Sequence, residues 1–148
     1  MSIEKFLGKM LEIPPHELTL EEFKALVAGV EFSDRFLNKH IRFKSDRYFW
    51  KNVLRTDAVE ILICCWMPGQ KSSIHLHKGA SLNVSRVLMG TITEELYQES
   101  GQDIVLYQET DLSEGGFMTT ERYQYHQLVN NSMEKSATLH FYSPIRPD

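Results

Sequence analysis

Apolar residues recur at helical spacing through the first third of the chain and at strand spacing after it. Phe6, Leu7, Met10 and Leu11 fall on one stripe and predict a helix over 3–11, which Pro14-Pro15 then stops. Thr19-Leu20-Glu21-Glu22 has the form of a capping box, and Phe23, Leu26, Val27 and Val30 supply the apolar face of a second helix that weakens at Gly29. A third, short helix is expected from Ser33, with Phe36, Leu37 and Ile41 as its buried side. From about Arg47 the spacing changes to short runs of β-formers between turn residues. Strands are expected near 48–54, 58–67, 73–77, 83–89, 92–98, 104–109, 116–120, 126–130 and 136–142. Pro68-Gly69, Glu99-Ser100-Gly101-Gln102, Ser113-Glu114-Gly115-Gly116 and Asn130-Asn131-Ser132 punctuate them at the intervals of a sandwich or barrel.

Size and charge narrow the partners. A chain of 148 residues with 42% hydrophobic content suits one domain with one core, residues 1–45 forming a helical flank and 46–148 a β-barrel. The formal net charge is −4, and the basic residues are scattered, so nothing marks a surface for nucleic acid or an anionic membrane. No apolar run reaches the roughly 20 residues of a membrane span, and the N-terminus lacks a signal-like core. A cytoplasmic protein acting on small molecules is the expectation, as a monomer or small homo-oligomer. The only cysteines, Cys64 and Cys65, are adjacent in a strand-like run and would face opposite sides, which suits reduced thiols and disfavours a disulfide between them.

The chemistry concentrates after Pro68-Gly69. His75 and His77 are alternate residues, so on a strand both imidazoles line one face and can share a metal ion. Taken alone, such a pair is more often two ordinary strand residues, and a third ligand is required.

Gly69, His75, His77 and Gly90 together resemble the first signature of the cupin family, and Gly115, His126 and Asn130 resemble its second, with Glu121 and Tyr123 departing from that motif. The fold implied is a double-stranded β-helix, a small jelly-roll barrel, in which His75, His77 and His126 hold one metal. Most cupins add a glutamate at the position of Asn83, so the set here is three neutral imidazoles, suited to a mononuclear Fe(II) with open positions. A narrower resemblance joins Ile61–Trp66 to the histidines, continues through Arg86-Val87-Leu88 and Gly90 to Thr93-Glu94, and ends on Ser136–Pro144: it is to the cysteine dioxygenase branch of the cupins.

That resemblance implies oxidation of a small thiol, cysteine first, to its sulfinic acid with O₂. Thr138, His140 and Tyr142 would form a hydrogen-bonded relay running to the iron. Mammalian members crosslink a cysteine at the Asn83 position to the tyrosine, and with Asn83 that crosslink is not expected. The arginine that grips the substrate carboxylate falls, by alignment, at Lys51, which keeps the charge but loses the bidentate fork. Arg146 is the nearest candidate for the arginine of the mercaptopropionate-oxidising branch, so 3-mercaptopropionate and cysteamine stay open as substrates. Phe49, Asn83 and Trp66 complete the candidate substrate contacts, although core packing accounts for Trp66 as well. Leu76 stands where the family usually has aspartate. The rival readings are a cupin that binds metal or ligand without turnover, and a cupin dioxygenase of carbon substrates.

Overall fold

The computed structural model describes residues 1–76, 82–120 and 124–143. Its three helices begin at three hydroxyl caps. Ser2 accepts from the Lys5 N–H before α1 (Ile3–Glu12), Thr19 from Glu22 before α2 (Leu20–Ala28), and Ser33 from Phe36 before α3 (Asp34–His40). Each cap satisfies an N–H that the first turn leaves without a partner, a contribution of ~1 kcal/mol. A 3-10 turn at Pro15–Glu17 replaces the helix that the two prolines forbid.

The rest is antiparallel β-structure: β1 (Phe49–Arg55), β2 (Glu60–Trp66), β3 (Leu82–Met89), β4 (Thr91–Ser100), β5 (Asp103–Ser113), β6 (Phe117–Thr119), β7 (Tyr125–Val129) and β8 (Ser136–Ser143). They form a five-stranded sheet in the order β1-β2-β8-β3-β6 and a three-stranded sheet in the order β5-β4-β7. The strand expected over 73–77 is not formed by its described part. Instead His75 makes an isolated bridge to His126, and Lys71 makes another to Val129, and with further backbone bonds from Gly69, Gln70 and Ser72 the segment runs beside β7 as an irregular loop. No helix among the described residues is long and apolar enough to cross a membrane.

The larger sheet is covered on both faces. Ile61, Ile63, Cys65, Val84, Leu139 and Phe141 pack against Phe6, Met10, Phe23 and Val27 of the helices, with the Phe6 and Phe141 rings edge-to-face at 5.6 Å. On the other face Cys64, Trp66 and Val87 meet Ile92 and Leu128 of the smaller sheet. All seven residues of β2 are therefore buried, which is why Ile61–Trp66 is a continuous apolar run, with only Glu60 at its start charged. Arg86 ties the helices to the barrel: its Nη1 donates to the Val27 and Val30 carbonyls at 3.0 and 2.7 Å, capping the C-terminal end of α2. Gly90 turns β3 into β4 at φ 69°, and a Cβ there would run into the Lys135 carbonyl.

Candidate active site

Strand register decides which side chains enter the space between the sheets. β2 and β8 pair Leu62 with His140, Cys64 with Thr138 and Trp66 with Ser136, while β3 and β8 pair Asn83 with Tyr142 and Ser85 with His140. Directly opposed residues share a face. Thr138, His140 and Tyr142 thus lie on the lumen side, as their spacing of two requires, and are at most 5% exposed. His140 and Tyr142 line part of a cavity of about 330 Å³, together with Tyr48, Trp50, Leu62, His75, His126 and Leu128, and Thr138 is buried behind them.

His75 is carried into this cavity by the loop after β2. Two backbone hydrogen bonds of 2.9 Å link it to His126 of β7, and the two Nε2 atoms stand 3.1 Å apart. The other nitrogen of each ring is committed. His75 Nδ1 lies 2.7 Å from the Ser73 carbonyl, and His126 Nδ1 lies 3.1 Å from the Glu94 carboxylate. Both partners only accept, so each Nδ1 carries its ring's proton and, in the neutral imidazole, each Nε2 presents a lone pair. Two lone pairs aimed at each other suit a cation between them, and 3.1 Å is close to the spacing of neighbouring nitrogen ligands each ~2.0–2.1 Å from one ion. The residues present therefore fit a metal. Among the described residues no third histidine, cysteine or carboxylate joins the pair, and His77 lies outside the described residues.

A second network runs along β8. Trp66 Nε1 donates to Thr138 Oγ1 at 3.1 Å, leaving the Thr138 hydroxyl proton for His140 Nε2 at 2.7 Å. His140 Nδ1 then donates to Ser85 Oγ at 2.7 Å. Thr138 thus lies within hydrogen-bond distance of one nitrogen of His140, and Ser85 of β3 holds the other.

This arrangement can be set beside known proteins. Residues 10–147 match the family described as cysteine dioxygenase type I. The chain belongs to the cysteine dioxygenase type I family. Solved structures agree on the fold. The TT1209 protein of Thermus thermophilus superposes with a TM-score of 0.63 at 21% identity, covering 79% of this chain and 99% of its own. A cupin superfamily protein of Desulfitobacterium hafniense gives 0.57 at 14% identity, covering 72% and 86%. An oxalate oxidase in complex with a substrate analogue, glycolate, gives 0.60 at 16% identity, covering 78% and 61%. The architecture is accordingly the cupin double-stranded β-helix, and membership of the cysteine dioxygenase family makes the chain a cupin-type dioxygenase with a metal cofactor.

Within that family frame, several candidate positions move. Lys51 pairs with Ile63 and Phe49 with Cys65, so both face the helices, away from the cavity. The face that β1 turns toward the lumen carries Trp50, opposite Cys64, and Asn52, opposite Leu62; of the two, Trp50 lines the cavity. Asn83 sits beside Tyr142 in register but is 2% exposed, does not line the cavity and donates to the Phe141 carbonyl at 3.2 Å. Trp66 does line the cavity and stacks on Tyr48 at 4.3 Å between ring centroids. Burial, helped by Cys64, raises the Tyr48 phenol above its usual range, so this ring is neutral. Arg146 lies outside the described residues, as does Pro144.

Sequence reading missed Trp50, Ser85, Glu94 and Tyr48. Glu94 had a signal, since it follows Gly90 inside the family-like run, and a buried carboxylate needs a charged or donating partner. Its partners are His126 and Thr120, whose hydroxyl donates at 3.4 Å.

Proposed function

We propose that the protein is an iron-dependent thiol dioxygenase, converting a small thiol R–SH and O₂ into the sulfinic acid R–SO₂H, with His75, His77 and His126 holding Fe(II). The single observation that carries this reading is the pair of Nε2 atoms 3.1 Å apart with both Nδ1 positions tied to acceptor oxygens. A bound Fe(II) would supply Lewis-acid and one-electron chemistry toward a thiolate and O₂.

The chain's own residues then have distinct tasks. Glu94 holds the His126 ring in the tautomer that frees Nε2, and Ser73 does the same for His75. Tyr142, on the lumen face beyond His140, would donate a hydrogen bond from its hydroxyl toward the substrate. Thr138 and Ser85 hold the two nitrogens of His140 beside it. Leu62, Trp66 and Leu128 limit water around the reacting sulfur. Cysteine is the substrate the family resemblance suggests.

The test is metal analysis followed by oxygen uptake. Protein loaded with Fe(II) under anaerobic conditions should hold about one iron per chain. It should then consume oxygen with at least one of cysteine, cysteamine, 3-mercaptopropionate or benzyl mercaptan, and not without a thiol. Stoichiometric iron with no uptake on any thiol sinks the dioxygenase reading and leaves a binding cupin.

A further inference from the structure

We infer that the cavity is built for a thiol whose remainder is uncharged and apolar, of about the size of one aromatic ring, and not for a thiol carrying a carboxylate; this rests on the thiol-dioxygenase reading above. Three rings make one wall. Tyr48 and Trp66 lie almost parallel, 16° apart, and Trp50 stands on the lumen face of β1, opposite Cys64. Trp50 is 53% exposed, a large apolar surface left in water at the mouth of a cavity. Leu62, Leu76 and Leu128 line the remaining sides.

Polar groups on the same walls are largely committed to the protein. The Ser72 hydroxyl donates to the Ser73 carbonyl and accepts from the Leu128 N–H, Trp66 Nε1 donates to Thr138, and both nitrogens of His140 are bonded. A buried carboxylate needs a cation or several free donors. Among the described residues lining the cavity there is no lysine or arginine, and Lys51, the cation nearest in sequence to Trp50, points to the helix side. An uncharged ring needs no such partner and gains stacking against Trp50 and the Tyr48–Trp66 pair.

The experiment reads binding apart from turnover. Protein loaded with Co(II), which reports thiolate ligation by a charge-transfer band, is titrated without oxygen with benzyl mercaptan, 3-mercaptopropionate and cysteamine. Benzyl mercaptan should bind about tenfold more tightly than either of the others, equivalent to about 1.4 kcal/mol. Trp50→Ala should remove most of that preference without weakening 3-mercaptopropionate, and Trp50→Arg should reverse it. Equal or tighter binding of 3-mercaptopropionate by the unaltered protein overturns the inference while leaving thiol chemistry standing. Absence of a thiolate band with all three thiols overturns both the inference and the proposed function.

Discussion

The two faces of β8 are equally buried and chemically opposite. Ala137, Leu139 and Phe141 turn to the helices and are apolar, with only Ser143 at the strand's end polar on that face and donating to the Ala58 carbonyl, whereas Ser136, Thr138, His140 and Tyr142 turn to the lumen and are polar. In an ordinary half-buried strand the polar residues would meet water. Here they meet Trp66, Ser85 and a cavity. The helix face is a packing surface whose value is area and fit, and the lumen face is a hydrogen-bond network whose value is position. Burial alone does not separate them; the partners do.

This contrast predicts that a lumen substitution alters the site before the fold, and a helix-face substitution the reverse. The largest effect is expected from His126→Ala. It should remove Fe(II) binding, exceeding the ~10–100-fold loss typical when only an outer hydrogen-bond partner of a ligand is removed. Some stability should be lost as well, because the buried Glu94 carboxylate loses a hydrogen-bond partner, so iron is compared on the folded fraction. Metal analysis after anaerobic loading decides the matter, and full iron content in this variant would mean that another residue completes the set. Phe141→Ala should do the opposite, costing ~3–5 kcal/mol in denaturant unfolding because a buried ring and its edge-to-face contact with Phe6 are lost. Any folded fraction should still bind iron. Thr138→Val lies between these extremes. It leaves Trp66 Nε1 and His140 Nε2 without their shared partner, at a cost of ~1–3 kcal/mol, and should slow turnover with iron content unchanged. A variant that lost stability and kept full turnover would break the assignment of β8's lumen face to chemistry.

The same two faces explain what could be read from the sequence. The helices were legible because hydroxyl caps and apolar stripes are local, and Ser2 is the one cap that carried no separate signal. Thr138, His140 and Tyr142 were singled out by the family resemblance, and their shared face was legible because residues two apart point the same way whatever the neighbouring strand does. β1 was not legible in this way. Tyr48, Trp50 and Asn52 alternate with Phe49, Lys51 and Val53, and both sets are plausible inward faces. Only the pairing of Trp50 with Cys64 chooses between them, and it puts Lys51, the position aligned with the family's clamp, on the side away from the cavity. The segment 73–77 carried a strand's composition, but its described part is fixed to β7 through isolated bridges and side-chain contacts that join residues distant in sequence. Glu94 and Ser85 were hidden for a similar reason, as each acts through a histidine on another strand.

The smallest effect concerns the two adjacent cysteines, which divide between the faces and so provide a titratable probe of each. Cys65 packs with the helix-side core, fully buried, and Cys64 lines the cavity. Burial pushes the Cys65 thiol up, against a weaker downward pull from Arg42 and Lys51. Its folded value thus exceeds the ~8.5 of an unfolded cysteine. The folded state then keeps a proton that the unfolded chain releases, so this contribution to stability is complete below about pH 8.5 and declines as pH rises through the folded value. The slope is limited to about 1.4 kcal/mol per pH unit for one proton. Denaturant unfolding of the wild type and Cys65→Ala between pH 7 and 10 should show the variant about 1 kcal/mol less stable at pH 7 and the gap narrowing with alkalinity. In parallel, a small neutral alkylating reagent should label Cys64 before Cys65 in the folded protein. A gap that stayed constant with pH, or Cys65 labelled first, would place that thiol on the open side of β2 and undo the register on which the division of the two faces depends.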